Sequence, residues 1–576
     1  RSVAHAHDGL LRRRGSELHV QARNARVDGD SARLRERLAL GLRVTNEPGV
    51  RLANERVFRR ASLAANPKPL NAGALAGATI QLRNLEEAHI RLCAVLFICL
   101  LGVAHASAQA PSSIEGRWAG EVGFPTDRVP IAFEFKRNDK HELKAYLYQS
   151  VSNFYGLEVP GPVAEKGDTF TNDDWRITLT LKDGKLTGTY FPLNAPITLE
   201  RTEQLPAETP IPDYPKGPGP RWQTKLGAAI YAPAAIRDGV AYVGTSGGLV
   251  HAIDLRDGAF LWTFVAGRPI FGGAAVTGDA VFVASDGGFL FKLDRKNGKE
   301  MWRYDLGDAR AARILPHQVI ANSGDFDFVV TSPRPALADG VLYVGSGDNG
   351  LHAVSEATGQ RIWRFETSGM IRTDAIVDAT RVYVGNLDGF AYAVDRATGK
   401  EIWKKNTYGP LTTSPALVAG RLIIGNRNGL LAALDPATGT TQWRMTLWGS
   451  AVESSPVAGA GSLFYIGASD LRRLSLIDAN DGRVVWRTDV FGWAWPRPAL
   501  TERYVYQSAI GAVPYEIRHA GSLTSIDRTT GRIAWRWPMP ACPGSWTSGF
   551  AAPPVVDGGT LVVGGLDGSL YAFPAE

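Results

Sequence analysis

From about residue 235 to the C-terminus, short apolar runs alternate with clusters of turn residues. One stretch shows the unit: Val240-Ala241-Tyr242-Val243-Gly244, then Gly248-Leu249-Val250-His251-Ala252-Ile253-Asp254, then Ala259-Phe260-Leu261-Trp262. These read as three β runs, bounded by Gly-Gly and by Asp-Leu-Arg-Asp-Gly. A fourth run precedes each unit, often with a proline, as in Thr413-Ser414-Pro415-Ala416-Leu417.

The end of the unit is a fixed cassette: Asp, three residues, Gly, three residues, Trp. It occurs as Asp254-Gly258-Trp262, Asp294-Gly298-Trp302, Ser355-Gly359-Trp363, Asp395-Gly399-Trp403, Asp435-Gly439-Trp443, Asp478-Gly482-Trp486 and Asp527-Gly531-Trp535. The Asp carboxylate can accept from backbone N–H groups two residues on. The Gly can take φ > 0 and close the hairpin. The Trp supplies a large flat area to bury and one N–H that needs an acceptor, so these tryptophans are expected to dock each sheet on the next. A small residue often stands two before the Asp (Ala252, Ala353, Ala393, Ala433, Ser525) and is expected to make room for the neighbouring Trp; Lys292 and Leu476 depart from this.

Four antiparallel strands in a repeat of about 40–45 residues describe a propeller blade. The C-terminal run Gly568-Ser569-Leu570-Tyr571-Ala572-Phe573 stops short of a turn and a Trp, and Arg221-Trp222-Gln223-Thr224-Lys225-Leu226 is a Trp strand with no cassette before it. Pairing the two closes an eighth blade and removes the sheet edges. The expectation is an all-β chain with an eight-bladed propeller over 221–576.

The cassette resembles the repeat of the pyrroloquinoline quinone (PQQ) quinoprotein propellers. That wider family contains PQQ-dependent dehydrogenases and BamB-like assembly factors, which have the fold without the quinone. The resemblance implies two readings. One is a binding or protein-interaction scaffold of the cell envelope; the other is a small PQQ- and Ca²⁺-dependent oxidoreductase acting on alcohols or sugars. Catalytic relatives carry an adjacent Cys-Cys pair over the quinone, or a haem-bearing Cys-x-x-Cys-His; this chain has neither motif, which favours the scaffold.

Residues 112–203 follow a different pattern. Val129-Pro130-Ile131-Ala132-Phe133-Glu134-Phe135 and Trp175-Arg176-Ile177-Thr178-Leu179-Thr180-Leu181 alternate as half-buried strands do. About eight short strands are expected here, as a small antiparallel barrel or sandwich. Residues 204–220 hold six prolines and read as a stiff linker.

The formal charge of +6 belongs to the N-terminus. Residues 1–110 hold 17 Lys/Arg and 9 Asp/Glu, hence +8; subtracting from totals of 63 and 57 leaves 46 and 48, hence −2, in the rest. Nothing in that remainder favours nucleic acid. Residues 91–110, RLCAVLFICLLGVAHASAQA, have the positive start, apolar stretch and small residues of a secretory signal. A periplasmic or secreted monomer without a membrane span is therefore expected. Residues 1–90, Arg-rich and without strand pattern, are set aside as a disordered leader. Of the three cysteines, Cys93 and Cys99 lie in the signal, and Cys542 is expected to be a small buried hydrophobe.

Ligands of a propeller collect at one mouth of the central channel, lined by the first strand of each blade. The candidate strands contain Tyr231, Phe271, Arg334, Arg372, Asp374, Ser414, Glu453, Trp495, Arg497 and Phe550, and inserted loops add His317, Asp325, Asp327, Trp493, His519 and Trp546. Arg372 and Arg497 could hold an anionic group, or Arg372 could pair with Asp374. Trp493, Trp495 and Trp546 could stack on a planar ligand. Asp374 and Glu453 are the candidates for proton transfer or a cation. No metal-ligand spacing accompanies the histidines. PQQ would need such an aromatic floor and cationic side chains, usually with Ca²⁺.

Overall fold

The computed structural model describes residues 113–123, 128–190, 194–208, 210–307, 332–447, 450–512, 519–539 and 547–576. Residues 1–110, where a leader and a secretory signal are expected, the inserted loop with His317, Asp325 and Asp327, and also Cys542 and Trp546 lie outside these residues.

Nine strands form the first unit: β1 (Gly116–Val122), β2 (Val129–Arg137), β3 (Leu143–Gln149), β4 (Phe154–Glu158), β5 (Ala164–Lys166), β6 (Thr169–Asn172), β7 (Ile177–Lys182), β8 (Lys185–Tyr190) and β9 (Ala195–Arg201). Their order is β4-β3-β2-β1-β9-β8-β7-β6-β5. A meander whose first strand pairs with its last curls into a half-barrel, and the opening falls between β4 and β5. Arg137 on β2 bridges part of it by binding Glu115 and Glu165. Alternation fills the interior: Trp118, Phe133, Leu147, Leu186 and Leu199 are all fully buried. The barrel core and residues of blades 5 and 6, Leu471 and Ala479 among them, form one apolar cluster.

Eight four-stranded blades follow, each a meander from inner to outer strand. In blade 1 the strands are Ala235–Arg237, Val240–Gly244, Leu249–Asp254 and Phe260–Val265. Blade 8 takes its inner three strands from Val555–Pro574 and its outer strand, β10 (Trp222–Lys225), from the other end of the propeller, with Trp222 opposite Ala572 and Lys225 opposite Ser569.

The cassette works as a turn and as a joint. In blade 5, Asp435 Oδ1 accepts from the N–H groups of Ala437 and Thr438, and the Gly439 N–H donates back to the Asp435 carbonyl. Each tryptophan then docks on the next blade. The indole N–H of Trp403 donates to Pro436 O at 2.9 Å, that of Trp262 to Arg295 O at 2.9 Å, and that of Trp222 to Leu255 O at 2.9 Å. The ring lies flat on the next cassette's glycine, where a Cβ would sit 2.8 Å from Trp403 Cδ2.

Two details differ from the sequence reading. The small residues before the cassette Asp face the Trp of their own blade (Ala252 opposite Trp262, Ala393 opposite Trp403); the neighbour's Trp is received by the glycine instead. The last joint also has a glycine. Trp535 is covered by Gly217, whose Cβ would lie 2.3 Å from the ring, and the linker pairs in parallel with Arg536. Asp213, Gly217 and Trp222 thus approximate a cassette with one residue added between Gly and Trp.

Candidate functional site

The chain enters each inner strand from the same face of the propeller, so equivalent positions form rings around the axis. Two such positions per blade, two residues apart, lie in the segment that leads into the inner strand. One ring is Tyr231, Phe271, Ser332, Arg372, Thr412, Glu453, Trp495 and Ala551; the next is Pro233, Gly273, Arg334, Asp374, Ser414, Ser455, Arg497 and Pro553. All of these except Arg334 line one funnel-shaped cavity of about 80 Å³, together with Gly272 and Pro496.

The funnel has two unlike halves. Blades 7, 8, 1 and 2 contribute Trp495, Ala551, Pro553, Tyr231, Pro233 and Phe271, with Tyr231 and Phe271 edge to face at 5.6 Å. Blades 3 to 6 contribute Ser332, Arg372, Asp374, Thr412, Ser414, Glu453 and Ser455. Arg497 follows Trp495 on the apolar side, near enough to Arg334 and Asp374 to feel both charges. Protein surrounds its guanidinium even though the cavity wets part of its surface. Burial, then the nearby Arg334, lower its pKa, and Asp374 opposes them.

Each carboxylate in the wall lies against an arginine. Arg372 is 3.6 Å from Asp286, both nearly buried, and the Ser332 hydroxyl donates to Asp286 at 2.7 Å. Asp374 accepts from the Arg334 N–H at 2.7 Å and lies 3.7 Å from that guanidinium. Glu453 binds Arg427 at 2.9 Å and accepts from the Thr412 hydroxyl at 2.8 Å. Arg372 and Asp374 thus pair with other groups rather than with each other. Among the described residues no group of three His, Cys, Asp or Glu side chains could hold a metal ion. Among the described residues Asp374 and Glu453 each already lie against a guanidinium, which weakens either one as a ligand for Ca²⁺ beside a bound quinone.

From the sequence-derived candidates the funnel brings together Tyr231, Phe271, Arg372, Asp374, Ser414, Glu453, Trp495 and Arg497. It does not include Trp493 or Phe550. Trp493 is 1% exposed and stacks behind Trp495 at 4.6 Å and 9°, its N–H donating to Asp470. It is a support for the Trp495 ring, which is fixed in turn by an N–H bond to Ser469. Phe550 is fully buried against Trp537 and Tyr571. His519 packs on Trp493 at 4.9 Å. Blade 7's second strand is long, Tyr504–Ala512, and its tip pairs with Thr547–Gly549; Ile510 and Ala512 from this tip join Tyr231, Phe271 and Trp493 in one apolar cluster over the funnel. Sequence reasoning missed Asp286 and Arg427. Both sit in turns between second and third strands, which share the funnel's face; the register of the blades was the signal available.

A family model described as "Outer membrane protein assembly factor BamB" matches residues 219–327, 320–445 and 427–576. Similar solved structures include BamB from Moraxella catarrhalis, 19% identical over 60% of this chain and 92% of that one, with a TM-score of 0.41. A computationally designed protein, Ika8, is 14% identical over 61% and 99%, with a TM-score of 0.46. The quinohemoprotein alcohol dehydrogenase from Comamonas testosteroni is 17% identical over 62% and 76%, with a TM-score of 0.45. No curated protein sequence matches the chain.

Proposed function

Because the chain belongs to the propeller family described as outer membrane protein assembly factor BamB, we propose that it acts as a binding and protein-interaction scaffold of the cell envelope, not as a quinone enzyme. The observation that supports this reading is the set of carboxylate–arginine pairs in the funnel wall: Asp286 with Arg372, Asp374 with Arg334, Glu453 with Arg427. A carboxylate held by a guanidinium is a poor general base and a poor cation ligand. Export through the segment 91–110 belongs to the same proposal, and no described helix is long and apolar enough to cross a membrane.

One feature favours the oxidoreductase reading: a Trp495 face beside Arg372 and Arg497 suits a planar anionic group. Calorimetric titration of the purified chain with PQQ, with and without Ca²⁺, separates the two. The scaffold reading expects no Ca²⁺-dependent saturable heat and no dye-linked oxidation of alcohols or sugars. Tight Ca²⁺-dependent binding that is lost in Trp495→Ala would overturn it.

A further inference from the structure

Three arginines around the funnel each answer a carboxylate: Arg372 lies 3.6 Å from Asp286, Arg334 3.7 Å from Asp374 and Arg427 2.9 Å from Glu453. Arg497 does not. Among the described residues no carboxylate or other acceptor stands within ion-pair or hydrogen-bond reach of its guanidinium. Asp374, already held by Arg334, is felt only as a nearby charge, and burial outweighs it, so the cation is disfavoured where it stands. A desolvated guanidinium without a partner lowers stability. Such a group persists where it serves something other than the fold.

The neighbouring hydroxyls indicate what it serves. Ser414, Ser455 and Arg497 hold successive positions of the second ring, on blades 5, 6 and 7, and all three line the cavity. The Asp374 N–H donates to the Ser414 hydroxyl oxygen at 2.8 Å, and the Ser414 N–H to that of Ser455 at 3.0 Å. Both hydroxyls thus accept from the backbone, and their own protons have no acceptor among the described residues. Other hydroxyls of the wall are committed: Ser332 donates to Asp286 and Thr412 to Glu453. What remains on this stretch of the ring is all donor, one guanidinium and two hydroxyls. Neighbouring donors with a positive charge and no free acceptor suit an anion whose oxygens only accept.

We propose that the funnel binds a small monocarboxylic acid, with its carboxylate on Arg497, Ser414 and Ser455 and its apolar end toward Tyr231, Pro233 and Phe271. This rests on the scaffold reading, in which the funnel carries out no quinone chemistry, and it gives the scaffold a ligand. One charge is selected because a second carboxylate would meet the apolar half without a counter-ion. A cationic ligand would find each carboxylate of the wall already against an arginine. Size follows from the cavity of about 80 Å³. At roughly 10–15 Å³ for each water it has room for about five to eight waters, and so for a molecule of about as many non-hydrogen atoms. Such a ligand is smaller and less charged than the tricarboxylated quinone. An inorganic anion such as sulfate would satisfy the donors but leave the apolar half unfilled.

The test titrates the purified chain, free of Ca²⁺ and PQQ and at constant ionic strength, with acetate, propionate and butyrate. Saturation-transfer NMR of the methyl protons reads binding. Butyrate should saturate, and affinity should rise about three- to fourfold for each CH₂ added from acetate to butyrate, the gain from burying a methylene. The neutral isostere butyramide, and sulfate, should displace butyrate only at concentrations about tenfold higher or more. Arg497→Met should weaken butyrate by about tenfold or more, the loss of a charge-assisted hydrogen bond. Without ligand the same variant should melt no lower than the wild type, because an apolar side chain replaces a desolvated cation. A purely structural Arg497 gives the opposite, a lower melting temperature. Equal binding of butyramide or sulfate, no gain from acetate to butyrate, undiminished binding by Arg497→Met or a clear fall in its melting temperature would each overturn the proposal. So would no saturation by about 0.1 M butyrate, weaker than even inefficient small ligands bind. Tight Ca²⁺-dependent binding of PQQ would strike the scaffold reading whatever butyrate does, whereas failure of butyrate alone strikes only the ligand.

Discussion

Gly439 and Gly420 offer a controlled pair for measuring what a blade joint contributes. Both have left-handed φ, +71° and +73°, and both sit in turns of blade 5. They differ in what an added Cβ would meet. At Gly420 nothing lies within 4 Å; at Gly439 the Cβ would be 2.8 Å from Trp403 Cδ2 and 2.9 Å from Cε3. Alanine in left-handed conformation costs about 1–2 kcal/mol, partly offset by a stiffer unfolded chain, so Gly420→Ala should cost about 1 kcal/mol. Gly439→Ala carries the same backbone cost and also forces an indole away from a close-packed surface, which adds about 1–3 kcal/mol. The sum is about 2–4 kcal/mol, and the Trp403 N–H bond to Pro436 is strained as the ring moves. Thermal unfolding followed by tryptophan fluorescence ranks the two, at about 1 °C per kcal/mol for a chain of this size. Trp403→Leu supplies the decisive control, since without the indole Gly439→Ala should cost no more than Gly420→Ala. If the two glycine variants are equally destabilised in the wild-type background, the cassette glycine is only a turn residue and the joint argument fails.

Three other outcomes are expected. The cassette carboxylates are held below the ordinary Asp value: Asp254 at about 2 by Arg256, and Asp435 by N–H bonds led by that of Thr438. A lowered folded pKa stabilises above the unfolded value near 4 and is lost as pH falls toward 2, so Asp435→Asn should flatten the acid limb of a Tm–pH curve. In the funnel wall, Arg372→Leu should destabilise by about 3–5 kcal/mol by leaving Asp286 buried without its guanidinium, and the double change Arg372→Leu/Asp286→Leu should recover most of that in thermal melts. Gly217→Val should lift the linker off Trp535 and speed limited proteolysis between residues 204 and 220, with the blade cassettes themselves still protected.

The parts of the fold legible in the sequence are those whose chemistry is local. An Asp that caps its own turn and a Gly that closes it must stand at fixed spacing, so seven copies announce seven blades, and the strand pair Trp222–Lys225 with Ser569–Pro574 follows from the leftovers. Where contacts cross the chain the signal fades. Gly217 is hidden because the linker reaches Trp535 with one residue too many before Trp222. The half-barrel's nine strands read as about eight, and a meander does not state where its sheet will open. Within the funnel, Arg372, Asp374, Glu453, Trp495 and Arg497 share a register that the blades reveal. Their partners Asp286 and Arg427 sit in Asp/Asn/Gly turns of other blades, where turn chemistry masks them. Trp493 misleads for the opposite reason: alternation would turn it to the same side as Trp495, but the Phe491–Trp495 segment is not a regular strand, and Phe491 has a φ of 62°.

The division of the funnel into two halves follows from how neighbouring blades satisfy one another. In the second ring, the Arg334 N–H donates to Asp374, the Asp374 N–H to Ser414 at 2.8 Å, and the Ser414 N–H to Ser455 at 3.0 Å. The inner strands of blades 3, 4 and 5 are thus each met by an acceptor side chain from the next blade, which favours polar residues in blades 4 to 6 before any ligand is considered. On the other side the ring holds Pro553, Pro233 and Gly273. Proline has no N–H to satisfy, so after Pro553 and Pro233 the next blade can present Pro233 and Gly273, which offer no side-chain acceptor. Pro233→Ala should then add an N–H with no side-chain acceptor facing it, a cost of about 1–3 kcal/mol. Gly273→Ser should restore the relay, because the Cβ at Gly273 is blocked mainly by the Pro233 ring, 2.8 Å away, which the first change removes. The double variant should melt above Pro233→Ala, while Gly273→Ser alone should melt below the wild type. If the double variant is the least stable of the three, the relay does not explain the funnel's two halves, and the apolar half must owe its composition to what it binds.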